Sequence, residues 1–225
     1  MPVRNVSNRG GNAIGRFPSL KMQRMIAFES LLERDFIYLL DYDATVTWFE
    51  EQPLTIEYQH EGKLRHYTPD FHLVERDQHV LVECKPEHFV NTADNSRKFA
   101  AARTWCQADD WQFRIVTDAD VRAGHRLQNI QLLTGYARHR IAPVLRCQLY
   151  AALQHASAAT PIQDLARALC PSDLAAVTSA ILHLAYHSMV DLPLDDAPIA
   201  PTTAVSLRRQ VHPEGQRCPE LRGML

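Results

Sequence analysis

A Pro69-Asp70 pair is followed, one strand later, by Glu83-Cys84-Lys85; the local sequences read HYTPDFHLV and HVLVECKPE. Side chains alternate faces along a strand, so Glu83 and Lys85 point one way and Val82 and Cys84 the other. In the alternating segment 67–74, Phe71 and Leu73 face one side, and Asp70 and His72 the other. The short polar stretch 75–79 between them reads as a hairpin loop. If the two strands pair, Asp70 sits beside Glu83. Two carboxylates offer hard oxygens that suit Mg²⁺, which keeps several waters and accepts phosphate oxygens. A metal so held lowers the pKa of bound water and stabilises charge on the attacking and leaving oxygens. Lys85 would orient or deprotonate the water, or neutralise the phosphate. The chemistry indicated is metal-dependent hydrolysis of a phosphodiester.

Taken alone, these residues have an ordinary reading. Pro-Asp is a frequent turn dipeptide, and Glu-x-Lys is common on an exposed strand edge. Against that, Glu83 and Lys85 follow the apolar run Val80-Leu81-Val82, which predicts a central strand. Charged groups ending a buried strand need partners or a purpose. Upstream, a helix starts near Ser30 and carries Leu32, Phe36, Leu39 and Leu40 on one stripe. Glu33 has two readings here. With Ser30 as the N-cap it completes a capping box; alternatively it is a third carboxylate aimed at the metal from the first helix. Glu29, Asp35 and Asp41 are rivals for that role, read as solvated or strand-end charges.

The run FPSLKMQRMIAFESLLERDFIYLLDYDATVTWFEEQPLTIEYQHEGKLRHYTPDFHLV, with LVECKP after it, resembles the TnsA endonuclease family. The likeness extends over roughly residues 5–120 and rests on FPS-K, ESLLERDF, the EQP strand, YTPDF and the ECK strand. It implies a restriction-endonuclease-like α/β core of the PD-(D/E)xK type, a mixed sheet flanked by helices. The family's helical glutamate falls on Glu33, its metal-binding aspartate on Asp70, its strand carboxylate on Glu83 and its lysine on Lys85. The implied metal ligands are Asp70, Glu83 and Glu33, holding Mg²⁺ with Mn²⁺ as a substitute. The implied task is cleavage of the 5′ ends of a transposon, while the partner TnsB cuts and joins the 3′ ends. A third protein, the ATP-dependent regulator TnsC, is the expected partner of residues 196–225.

Four segments organise the chain. Residues 1–20 are rich in Gly, Asn, Ser and Arg and predict a mobile arm. Residues 21–128 carry the nuclease pattern, including a helix over 95–107 whose Arg97, Lys98 and Arg103 either face phosphate or are simply solvated. Trp48 and Phe49 read as core or partner-surface aromatics. Residues 129–207 turn helical, with 130–135 as a short connection. Helices are predicted over 144–155, from Thr160-Pro161 onward, and over 172–187, then two short strands. That order suggests a small winged-helix-like domain. Its third helix is poor in Lys and Arg, so docking to protein is as good a role as reading bases. Residues 208–225 read as a flexible tail.

An apolar share of 46% allows a packed core, and no long apolar run or signal peptide argues for membrane insertion or secretion. Five cysteines without a C-x-x-C pair read as reduced thiols in the cytoplasm and argue against a zinc site. The net charge of −2 leaves little excess positive charge to neutralise phosphate. A nuclease so composed is expected to act on transposon-end DNA that a partner presents. Two other functions remain open: a non-catalytic adaptor bridging TnsB and TnsC, and a stand-alone restriction or repair nuclease.

Overall fold

The structure is a computed structural model that describes residues 13–156 and 158–208. The chain opens with an antiparallel hairpin, β1 (Gly15–Ser19) and β2 (Arg24–Phe28). Residues 15–19, expected in a mobile arm on account of their glycines, are thus paired strand. Phe17 and Ile26 of this hairpin are buried against the first helix. That helix, α1 (Leu31–Tyr42), is followed by β3 (Val46–Glu51), the hairpin β4 (Ile56–His60) and β5 (Lys63–Tyr67), and then β6 (Phe71–Glu75) and β7 (Gln78–Cys84). Next come a single turn α2 (Glu87–Val90), the long α3 (Ala93–Ala108), β8 (Gln112–Val116) and the turn α4 (Asp118–Val121).

Four strands form one mixed sheet in the order β3-β6-β7-β8, with β6 antiparallel to β7 and β7 parallel to β8. The run Val80-Leu81-Val82 lies in the inner strand β7 and is fully buried, as its composition predicts. The two faces are covered differently. Phe71, Leu73, Val80 and Val82 pack under α1, whereas Leu81 packs under α3 with Ala102, Cys106, Ile56 and Tyr67. The loop predicted over 75–79 is shorter than expected. Strand pairing continues to Glu75 opposite Gln78, and only Arg76 and Asp77 turn, both with positive φ (49° and 64°). That is the geometry of a tight two-residue hairpin, adopted here without glycine.

Beyond the sheet lie α5 (Arg126–Tyr136), α6 (Pro143–His155), β9 (Thr160–Pro161), α7 (Ile162–Leu169), α8 (Leu174–Tyr186), β10 (Val190–Asp191) and β11 (Ala204–Leu207). Residues 130–135, read as a connection, are part of the helix α5. Ile130 and Leu133 are fully buried in the second core, and Gly135 faces open space, with nothing within 4 Å of where a β-carbon would stand. The division expected between residues 128 and 129 therefore crosses a continuous helix. Thr160-Pro161, read as a helix start, forms the short strand β9, which pairs with β11; β11 also pairs with β10. The second core is joined to the first through α1, whose Tyr38, Leu39 and Tyr42 pack against it. Asp41 makes the polar part of this junction. It accepts hydrogen bonds from Ser19 Oγ, from the Lys21 backbone N–H at 3.1 Å and from Tyr186 Oη at 2.8 Å. Residues 1–12 and 209–225, which hold most of the expected arm and tail, lie outside the described residues.

Candidate active site

The register that pairs Phe71 with Val82 places Asp70, one step further, opposite Glu83. Both carboxylates stand where the two inner strands of the sheet end, with Lys85 just beyond. The backbone fixes Asp70 from two sides: its carbonyl accepts from the Gln52 N–H at 2.8 Å and its Oδ2 from the Cys84 N–H at 2.8 Å. Glu83 is 4% exposed, and both its oxygens are engaged. Tyr67 Oη donates to Oε2 at 2.8 Å, and Lys85 Nζ lies 2.9 Å from Oε1. Lys85 is itself anchored by its N–H to the Val116 carbonyl at 2.9 Å.

Glu33 arrives from the first turn of α1, and the structure gives it both of the expected positions at once. Ser30 is the N-cap and accepts from the Glu33 N–H at 3.1 Å. The Glu33 carboxylate accepts in return from Ser30 Oγ and from the Glu29 N–H, each at 2.8 Å. The same side chain lines an open cleft of about 450 Å³ together with Asp70, Glu83 and Lys85. The capping role thus aims the carboxylate at the cleft. Two of its rivals are accounted for elsewhere: Asp35 is buried between Arg34 and Arg122, and Asp41 is the junction residue. Glu29 lines the cleft beside Glu33.

The electrostatics follow from crowding three carboxylates around one ammonium. Burial raises the Asp70 pKa well above the usual carboxylate value, and Glu83 and Glu33 push it further in the same direction. Burial likewise raises Glu33, against the hydrogen bonds from Glu29 and Ser30 that favour its charged form. Burial alone would lower Lys85, but Glu83, Asp70 and Glu33 outweigh it and hold the ammonium above its ordinary value. Tyr67 is pushed up by burial and by Glu83, so it remains a hydrogen-bond donor. Carboxylates held close at a cleft raise the cost of ionising one another, as Asp70 and Glu33 show.

Several cleft residues are not assigned to the site from the sequence, although Lys98 reads there as either facing phosphate or solvated. Tyr67 belongs to the YTPDF segment, but nothing in its position three residues before Asp70 marks it as the donor to Glu83. His66, Phe89 and Lys98 line the cleft only because β5, α2 and α3 fold beside it. His72, on Asp70's face as expected, stays out of the site. It stacks on Trp111 at 4.1 Å between ring centroids, bonds to His79 at 2.9 Å, and its pKa is lowered to about 4 by burial. Trp48 packs edge-on against the same imidazole, and Phe49 is fully buried.

A mixed sheet flanked by helices, with two carboxylates and a lysine at the end of its inner strands, defines a restriction-endonuclease-like α/β fold. Residues 43–118 match the family model described as TnsA-like endonuclease N terminal. That match supports a transposition-associated, endonuclease-like domain over this segment, which forms most of the cleft. The matched segment contains Asp70, Glu83 and Lys85 and begins after Glu33. Comparison with curated proteins gives no match. Among the described residues, no helix is long and apolar enough to cross a membrane.

Proposed function

We propose that this chain is a Mg²⁺-dependent DNA endonuclease that hydrolyses the 5′ ends of a transposon. It acts beside a TnsB-type transposase, which processes the 3′ ends, and under a TnsC-type regulator. The observation that carries this reading is the juxtaposition of Asp70, Glu83 and Lys85 at one end of the sheet, with Glu33 facing them. The donor set fits a hard divalent cation: oxygen ligands only, with burial and neighbouring carboxylates disfavouring the charged forms of Asp70 and Glu33. Among the described residues, no group of three or more His, Cys, Asp or Glu side chains is arranged to hold a metal ion. Mg²⁺ needs no cage of three side chains, because it is held by one or two carboxylates and keeps its waters. Asp70 and Glu83 would hold it, with Glu33 beside them, and Mn²⁺ would substitute. When bound, it polarises water and neutralises charge at the phosphorus.

The chain's own groups do the remaining work. Tyr67 fixes one Glu83 oxygen and thereby the angle of that carboxylate. Lys85, ion-paired to the other oxygen, is placed to orient the attacking water and to neutralise the phosphate. Ser30 holds Glu33 at the cleft wall.

The C-terminal unit follows the order helix α6, strand β9, helices α7 and α8, strands β10 and β11, which we read as a winged-helix-like module. Its third helix buries Val177, Ala180, Ile181, Leu182, Leu184, Ala185 and Tyr186, leaving little of its surface for a DNA groove. That favours protein docking over base reading. A regulator contact through residues 196–225 falls mostly outside the described residues. The described cysteines are free thiols, in keeping with work in the cytoplasm.

The test is strand cleavage of a plasmid carrying both transposon ends, with Mg²⁺ and the partner transposase. Asp70→Ala and Lys85→Ala should abolish 5′-strand cutting while 3′ cutting persists and the fold is kept. Normal 5′ cutting by either variant would sink the assignment. Full activity without any partner would favour the stand-alone nuclease. A wild-type chain that bridges the two partners without cutting would favour the adaptor.

A further inference from the structure

A groove of about 420 Å³ adjoins the carboxylate cleft, walled by the β4–β5 hairpin on one side and by the first half of α3 on the other. Lys98 and His66 line both spaces, so groove and cleft meet at these residues. The hairpin contributes Arg65 and His60 as well, and α3 contributes Arg97. The acidic groups of the lining are Asp94 and Glu61. Of the three α3 cations, Arg103 is engaged elsewhere, its guanidinium lying over the Phe113 ring at 5.7 Å. Lys98 and Arg97 turn to the groove, where both are held by Asp94, at 2.6 Å and 3.5 Å. Asp94 is 60% exposed, and such surface pairs along a helix are weak. Arg97 also has a buried Nε with no hydrogen-bond partner among the described residues. A buried donor without an acceptor is costly and marks a place where an acceptor is missing.

We infer that Lys98 and Arg97, with Arg65 opposite, grip a backbone phosphate next to the one being cut, so that the cleaved strand runs from the carboxylates into this groove. The inference rests on the nuclease reading of the cleft. Asp94 acts as the resting counter-ion, and an incoming phosphate takes its place on Lys98. The contact is with the sugar-phosphate backbone and carries no base preference. It also reconciles a chain of net charge −2 with a DNA substrate: positive charge is gathered where the strand lies.

The experiment uses the full chain and two readouts. Binding of a fluorescently labelled DNA duplex is followed by anisotropy across a salt series, in a Lys85→Ala background that keeps the groove. Cleavage kinetics are followed in the otherwise wild-type chain with its partner. Lys98→Ala should weaken binding about five- to tenfold and lower the slope of log affinity against log salt by about one. KM should rise by a similar factor with kcat within about twofold, and Lys98→Arg should restore most of it. Arg167→Ala, which removes a remote surface cation paired to Asp164, should change neither readout. Unchanged salt slope and KM in Lys98→Ala and Arg97→Ala, with normal cutting by the wild type, overturns the grip and leaves the nuclease reading standing. A loss equal to that in Arg167→Ala overturns it too. If the wild type never cuts, the nuclease reading fails, and the salt slope alone decides the grip. No measurable binding by the parent protein overturns the grip, and the nuclease reading is then decided by cleavage with the partner present.

Discussion

Asp70→Asn isolates the cost of the carboxylate cluster. The change keeps the shape of the side chain and an oxygen able to accept from the Cys84 N–H, the contact that now measures 2.8 Å. It removes one negative charge from a buried position next to Glu83 and Glu33, whose repulsion raises the Asp70 pKa. A group whose folded pKa is raised favours folding when protonated, and that advantage is lost as pH rises through the folded pKa. Above the folded pKa the native charge is therefore a liability. Relieving strain of this kind at a functional site is worth about 1–2 kcal/mol. For a chain of this length that is a rise in Tm of roughly 2–8 °C. Thermal melts in a chelating buffer should show the variant melting above the wild type. Added Mg²⁺ should raise the wild-type Tm and leave the variant nearly unmoved, since a ligand stabilises only the form that binds it. Cleavage should be lost in either buffer. The reasoning fails if the variant melts lower in chelator, or if Mg²⁺ lifts both proteins equally.

Tyr67→Phe removes the donor to Glu83; hydrogen bonds to charged groups are worth about 1.5–3 kcal/mol, so the melt should shift down and kcat should fall about tenfold or more. An unchanged kcat would mean that Tyr67 does not set the Glu83 angle. Ser30→Ala deletes the N-cap of α1 at a cost of about 1 kcal/mol and frees the Glu33 carboxylate, so urea melts and cleavage should weaken together, with Ser30→Thr restoring both. His183 gives a pH test away from the cleft. Its pKa is lowered by burial, and by His187 and His139 beside it, against the bond to the Tyr136 carbonyl. The unfolded chain therefore binds its proton first, and stability should drop as pH falls below about 6.5. His183→Gln should flatten that part of the stability curve; an identical pH dependence in both proteins would rule the residue out as its source.

What could be read in advance was mostly local. The alternation in YTPDFHLV and the apolar run before Glu83 settled strands, faces and pairing, because a half-buried or buried strand must show those patterns. The cap at Ser30 was visible for the same reason. Other features depend on what packs against a segment from afar. Residues 130–135 end on Gly135, yet they are helical because Ile130 and Leu133 fill a core built by α6, α7 and α8. The strand at Gly15–Ser19 exists because Arg24–Phe28 pairs with it. Tyr67, His66 and Lys98 reach the cleft from three different backbone positions, and no spacing rule connects them. Glu33 could not be assigned from position alone, since one residue both caps the helix and lines the cleft.

The placement of α1 has a mechanical corollary. Glu33 stands on its first turn and Asp41 on its last, eight positions apart, which is about 12 Å of rigid rod. One end of the rod forms a wall of the cleft; the other is pinned to Ser19 and to Tyr186 of the second core. A stiff member fixed at one end transmits a load to the other. A force applied to α8 by a docking protein would be felt at Glu33 as a change in its reach. The helix that walls the cleft is thus also a short rigid link to the second core.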